Sequence, residues 1–360
     1  MLYNKFRNGI NLGGWFSQYD VNEPKPFTKE ERSKHFKTFI VESNMRQIKE
    51  WGFDHVRLPV DGKIFFNRED KRLSEEIKEG ITRCLDWCEK MNLNVILDLH
   101  DMEGNIYGEI KMPIPLLTDE NKKTDFLIFW RQMTKWLLDR RTPEICFELF
   151  NEISDVTGYL WRSLYKEAIK EIRQIDENRP ILVGSNNQNS IEFLKELDLV
   201  GDDKVFYNFH YYEPQIFTHQ KADFSEEFRE FHETITYPGD ISGFKKYLEE
   251  NPKWQSKHRL TAKEEINDHG LMVKLLKQAR EFTKYSGCEL YCGEYGVINS
   301  APPVDAAKWM EDFNTIADEY GFGRALWNYK TLDFGLLDKD NRIVHEELVN
   351  LLIKQNQRTE

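Results

Sequence analysis

Eight short apolar runs punctuate the chain, at residues 10–15, 55–60, 94–100, 145–151, 181–185, 205–212, 289–294 and 324–329. Each is rich in Val, Ile, Leu, Phe or Tyr, and most lack strict apolar–polar alternation. Strands covered on both faces read this way. Between the runs the apolar period becomes helical. Phe39, Met45, Ile48 and Trp51 fall near helical spacing, and Gly52 follows as a stop signal. Ile77, Ile81, Cys84, Leu85, Cys88 and Met91 form a second stripe, and Phe126, Phe129, Trp130, Met133, Trp136 and Leu137 a third. Leu160, Leu164, Ala168, Ile172 and Ile175 form a fourth. Residues 271–282, 306–320 and 346–353 repeat the pattern, and 191–197 predicts a short helix.

Strands alternating with helices place the chain in the α/β class and predict a (β/α)8 barrel. A doubly wound open sheet is the alternative, but Gly9-x-x-x-Gly13-Gly14 does not match its phosphate-loop fingerprint. The 360 residues form a single barrel domain, 1–360, with more chain per unit than a compact barrel needs, so some loops are enlarged. The largest surplus is 213–268, between strand six and its helix, where typical loops are about 2–6 residues. It predicts an inserted helical subdomain on the face where βα loops gather, either as a wall or lid over a site or as decoration. Residues 18–35 predict a second enlarged loop, polar and mobile.

Charge narrows the class. Lys and Arg number 50 against 62 Asp and Glu, a net charge of −12, with no basic run. That excludes a nucleic-acid binder, which needs cations against phosphates, and disfavours acidic membrane surfaces. No apolar run approaches the roughly 18 residues of a membrane helix. No positively charged stretch leads into an apolar one at the start, so a cytoplasmic location is expected, or an extracellular one if a leader has been removed. The 13% aromatic content is inconsistent with disorder. The five cysteines lack zinc or disulfide spacing, so buried free thiols in a reducing compartment are expected.

In a barrel, reactive groups sit at the C-terminal ends of strands. Those ends carry Arg57, Asp98-Leu99-His100, Asn151-Glu152, His210-Tyr211-Tyr212, Gly293-Glu294-Tyr295 and Trp327-Asn328. Taken singly, each has a plainer reading: a capping carboxylate, a structural ion pair, a core imidazole or indole. Two carboxylates on one rim, Glu152 and Glu294, suit glycosidic cleavage. That reaction needs one carboxyl to protonate the leaving oxygen and one to meet the developing oxocarbenium ion. The first must stay protonated near neutrality and the second ionised, so their environments must differ. Metal readings fail on spacing. His345-Glu346-Glu347 lacks the second helical His, and Asp98-x-His100-Asp101 lacks a paired His-x-His.

These stretches carry a resemblance. Residues 9–15 (GINLGGW), 52–59 (GFDHVRLP), 98–100 (DLH), 147–152 (FELFNE), 207–212 (YNFHYY), 291–296 (YCGEYG) and 327–330 (WNYK) resemble glycoside hydrolase family 5, the cellulase family. The likeness is greatest to the bacterial endoglucanase-C type, and residues 217–222 inside the insertion share it. The resemblance implies a retaining β-glucan hydrolase with no metal or cofactor. Glu152 would be the acid/base and Glu294 the nucleophile, with Asn151 on the sugar 2-hydroxyl and Arg57 supporting Glu294. His100 would bind a hydroxyl of the sugar beside the cleavage point, and Trp327 would stack under that sugar. His210 and Tyr212 would orient the carboxylates, and Asn187 would reach the sugar from strand five. Two positions depart from the pattern. Asp101 replaces a second His, and Gln188 replaces an aromatic residue, both where substrate would lie. The implied substrate is a cellulose-type or mixed-linkage β-glucan or its oligosaccharides, cut by an endo-β-1,4-glucanase. A β-mannanase or an exo-acting β-glucosidase remains an alternative, and so does a non-catalytic sugar-binding barrel.

Overall fold

A computed structural model describes residues 2–105 and 114–357. Eight parallel strands close a barrel: β1 (Asn8–Asn11), β2 (His55–Asp61), β3 (Asn94–Asp101), β4 (Ile145–Glu148), β5 (Ile181–Gly184), β6 (Val205–Tyr211), β7 (Leu290–Tyr295) and β8 (Gly323–Leu326). Neighbours in sequence are neighbours in space, and β8 returns to β1 through Asn8 with Arg324, Gly9 with Ala325 and Ile10 with Leu326. The (β/α)8 architecture expected from the alternating runs is the one observed. Several strands stop before their apolar run does. β4 ends at Glu148, and Leu149, Phe150 and Ile153 stay fully buried as the chain folds over the rim.

The major helices around the barrel are α1 (Glu42–Glu50), α2 (Glu75–Met91), α3 (Glu120–Leu137), α4 (Leu160–Arg173), α5 (His269–Ser286), α6 (Pro303–Tyr320) and α7 (Glu346–Gln357). Their apolar stripes face the strands; on α2 these are Ile77, Ile81, Cys84, Leu85 and Cys88. No helix among the described residues is long and apolar enough to cross a membrane. The five cysteines are free, four of them buried.

Two expectations need correction. The segment expected as a short α-helix at 191–197 is a 3-10 helix, Ile191–Glu196. So short a run gains little from an α ladder against the cost of nucleation. The 18–35 segment, expected as loop, holds part of the helix Lys29–Thr38. The Thr28 side chain accepts from the Glu31 N–H, and the Glu31 carboxylate accepts from the Thr28 N–H, a reciprocal cap. Phe36 is the one buried residue of that helix, so its cap rather than its periodicity marks it.

Between β6 and α5, the 213–268 segment holds short helices at Gln215–Thr218, Glu226–Glu230 and Ser242–Glu250. A 3-10 turn at Pro252–Trp254 and a two-stranded ribbon pairing Gly239–Asp240 with Ile266–Asn267 complete it. Phe228, Phe231, Phe244, Leu248 and Trp254 are buried within it. The Phe231 and Phe244 rings meet edge to face at 5.3 Å.

Inward positions recur every second residue, so the barrel interior is layered. The floor is apolar. Ile96, Cys146, Leu182, Phe206, Tyr291 and Ala325 form one buried cluster with Leu2 and Phe6 from the N-terminal segment. One step toward the C-terminal rim, the inward positions turn polar, with Arg57, Asp98, Glu148 and Asn208 all fully buried. Gly9 makes room for this arrangement, since a Cβ there would lie 2.2 Å from the His55 ring.

Candidate active site

Arg57 organises the polar layer. Its Nε and Nη2 donate to the two carboxylate oxygens of Glu148 at 2.7 and 2.9 Å. Nη1 donates to Glu294 Oε1 at 2.8 Å and to Asn11 Oδ1 at 2.9 Å. Nη2 also reaches Asn151 Oδ1 at 2.9 Å and Asp98 Oδ2 at 3.0 Å. One fully buried cation thus faces three carboxylates. Burial opposes the guanidinium charge, but Asp98, Glu148 and Glu294 outweigh it and hold Arg57 protonated. Burial pushes the Glu148 carboxyl up, with Arg57 opposing.

Glu294 reaches this cation because β7 is irregular. Its register against β6 shifts between Cys292 and Glu294. Gly293 faces inward, where a Cβ would lie 2.7 Å from Asn208 Nδ2 and 3.0 Å from His210 Nε2. A regular strand would turn the next side chain outward; the shift turns Glu294 inward as well. The Tyr212 hydroxyl donates to Glu294 Oε2 at 3.0 Å, so each carboxylate oxygen has a donor.

Glu152 lies beyond the end of β4 with φ of 47°, in the left-handed region. A non-glycine residue there carries strain of order 1–3 kcal/mol, which surrounding structure must hold. Its neighbour Asn151 is fixed by a backbone hydrogen bond to Leu99 O at 3.0 Å and by Arg57. Burial raises the Glu152 carboxyl to about 7, against the lowering charges of His100 and Arg57. The side chain is 24% exposed, so a ligand can reach it.

His210 bridges the two glutamates. Its Nδ1 lies 2.9 Å from Glu152 Oε1 and 3.7 Å from Glu294 Oε2. Burial pulls the imidazole down to about 4, so the ring is neutral. The Asn189 amide nitrogen is 3.1 Å from Nε2. Nε2 therefore accepts, and Nδ1 carries the proton toward Glu152. His100 behaves oppositely. Burial lowers it, but its hydrogen bond to Asp98 at 2.8 Å and the charges of Asp98 and Glu294 lift it to about 9. Its ring stacks on Trp327 at 5.7 Å and 5°. Trp327 is 7% exposed, against the close backbone of Gly13.

Of the residues singled out from sequence, Arg57, His100, Asn151, Glu152, His210, Tyr212, Glu294 and Trp327 converge here. Asn187 stands apart, exposed on the wall of an adjoining cavity of about 850 Å³ that also includes Glu152, His210 and Tyr212. Asn189, two residues on, is the one that reaches His210. Asn189, Glu148, Asp98, Asn11 and Asn208 had no role assigned from sequence. A usable signal was present for Glu148 and Asp98, acidic residues inside otherwise apolar strands. Asn189 had none. A separate cavity of about 570 Å³, between 62–74 and Met102–Glu103, includes none of these side chains.

Ligand atoms of Glu152, His210 and Glu294 lie within 4.8 Å of one another, a spacing that could hold a cation. The donor set disfavours one, because the Arg57 guanidinium already sits against Glu294. What the arrangement offers is two carboxyls face to face. One is raised toward neutrality by burial, and the other is held by an arginine and a tyrosine.

The chain is 41% identical over 353 residues to "Endoglucanase C" of Acetivibrio thermocellus, covering 97% of this chain and 98% of that protein. It is 30% identical to "Cellodextrinase A" of Ruminococcus flavefaciens, covering 88% and 83%. Among solved structures, Cel5A of Thermotoga maritima in complex with cellobiose superposes with a TM-score of 0.73 at 22% identity, covering 97% of this chain and 98% of that one. Cellulose synthase subunit Z of Clostridioides difficile gives 0.73 at 23% identity, covering 97% and 100%. Residues 22–333 match the cellulase family, and with the barrel and the likeness to Endoglucanase C they show that the chain belongs to glycosyl hydrolase family 5.

Proposed function

We propose that the protein is a retaining endo-β-1,4-glucanase acting on β-glucan chains, with Glu294 as nucleophile and Glu152 as acid/base. The observation that carries the reading is the close approach of the two carboxylates, with one oxygen of Glu152 within 4.8 Å of one oxygen of Glu294. Retaining sites hold the carboxyls about 5–5.5 Å apart, and inverting sites about 6.5–9.5 Å to admit a water. The names of the relatives, an endoglucanase and a cellodextrinase, support the substrate class.

The chemistry runs through this chain's own groups. A Glu294 oxygen attacks the anomeric carbon while Glu152 gives its proton to the departing glycosidic oxygen, and a glycosyl ester forms on Glu294. Glu152, now ionised, takes a proton from water. The water oxygen attacks the same carbon, and Glu294 leaves as carboxylate. His210 donates to Glu152 Oε1 through Nδ1, leaving Oε2 to carry the mobile proton. The raised Glu152 suits a group that must give and take a proton near neutrality. Asn151 has its oxygen engaged by Arg57, which turns its amide nitrogen to the sugar 2-hydroxyl. The protonated His100 and the Trp327 ring supply a donor and an apolar face for the same sugar.

Proton NMR of the first-formed anomer from cellotetraose tests retention: the β-anomer is expected. Glu294→Gln should lower hydrolysis by at least about 10²–10⁴-fold. An α-anomer first, or near-wild-type hydrolysis by the variant, would sink the assignment. Product lengths from β-glucan and mannan test linkage and mode; a spread of β-1,4-gluco-oligomers is expected.

A further inference from the structure

Glu152 delivers its proton to the departing oxygen, so the departing sugars must lie on the Glu152 side of the scissile bond. That side opens into the 850 Å³ cavity. The volume falls within the range of small-ligand sites. One wall is the loop after β5, the other the 213–268 insertion. Arg259 of the insertion pairs with Glu192 of the facing loop at 3.1 Å and lies over the Phe193 ring at 5.4 Å. The two walls are therefore tied together.

The walls are chemically distinct. On the loop, Asn187 and Gln188 are exposed, with φ of 53° and 60°. With Asn189 at 54° they form three successive non-glycine residues in the left-handed region, which costs roughly 1–2 kcal/mol each. The turn buries Asn189 against His210 and presents two amide side chains to the cavity. On the insertion, Phe224 is 62% exposed, and Val156, in the loop after β4, is 55% exposed along the same cavity. Scattered apolar residues on a surface mean little. Phe224 lines the same concave site as Glu152, Asn187 and Gln188. Phe224 is also placed relative to the reacting centre through rings. Tyr212, which holds Glu294, meets His219 edge to face at 4.9 Å, and His219 meets Phe224 at 6.1 Å.

We infer that Phe224 is a specificity-determining residue: its exposed ring is the platform on which a sugar of the leaving group stacks, with Asn187 and Gln188 facing that sugar's hydroxyls across the cavity. A pyranose has an apolar C–H face and a polar rim, and an aromatic ring opposite amides matches both. The inference rests on the glycosidase reading and adds the recognition of the departing chain to it.

The test compares wild type, Phe224→Ala and Phe224→Trp on two substrates. Cellotetraose fills the cavity with departing sugars; β-cellobiosyl fluoride releases only fluoride and leaves it empty. The ratio of kcat/KM for cellotetraose to that for the fluoride should fall about fivefold in Phe224→Ala, with the larger KM on cellotetraose, and be kept in Phe224→Trp. An unchanged ratio in Phe224→Ala, or an equal fall in Phe224→Trp, overturns the platform while the glycosidase reading stands. A wild-type protein inert to both substrates overturns that reading, and the inference with it.

Discussion

Glu152→Gln separates catalysis from stability at one atom. The folded environment raises the Glu152 carboxyl from 4.5 to about 7, chiefly by burial. For an acid raised on folding, the folded protein keeps a proton that the unfolded chain has released. Its stabilising contribution is full below 4.5 and is lost as pH rises through about 7. Above that, the ionised carboxylate burdens the fold by about 3 kcal/mol, at 1.36 kcal/mol per unit. Glutamine carries no charge at any pH and can still accept from His210 Nδ1. The variant should therefore be more stable than wild type by up to about 3 kcal/mol at pH 8, and by under about 1 kcal/mol at pH 5. Urea unfolding at both pH values measures the difference. Hydrolysis of cellotetraose by the same variant should fall about 10²–10⁴-fold, and the wild-type alkaline limb of kcat/KM, near 7, should vanish. Equal stability at pH 8, or a gap that does not shrink at pH 5, would refute the account of Glu152 as a carboxyl held neutral by burial.

Arg57→Met should destabilise the fold by about 3–5 kcal/mol in urea unfolding at neutral pH, because Asp98, Glu148 and Glu294 lose their one shared guanidinium; a loss under about 1 kcal/mol would contradict the shared-cation reading. Asn189→Ala should release the His210 tautomer. Nitrogen NMR should then show protonation spreading from Nδ1 to Nε2, with kcat/KM down about fivefold, the worth of one hydrogen bond; a ring still protonated solely at Nδ1 would show that Asn189 does not set it.

Sequence alone determined the barrel, because strands buried on both faces and helices with one apolar stripe leave different periods in the chain. It also marked the rim where His100, Glu152, His210, Tyr212, Glu294 and Trp327 gather, since a barrel collects strand ends on one side; Arg57, expected at the end of its strand, sits inside β2, in the buried layer below. The Lys29–Thr38 helix was legible only in its Thr28–Glu31 cap, because a helix that buries Phe36 alone has almost no stripe to read. Tertiary structure decided what each side chain does. Glu148, Asp98 and Glu294 come from three strands far apart in sequence, and only closure brings them to one guanidinium. The turn of Glu294 into the barrel depends on a register shift between β6 and β7, a property of the pair that neither strand's sequence states. The opposite states of His100 and His210 follow from Asp98 beside one and burial around the other. Periodicity is written locally. Pairing, burial and charge balance exist only between segments, and so they appear only when the barrel closes.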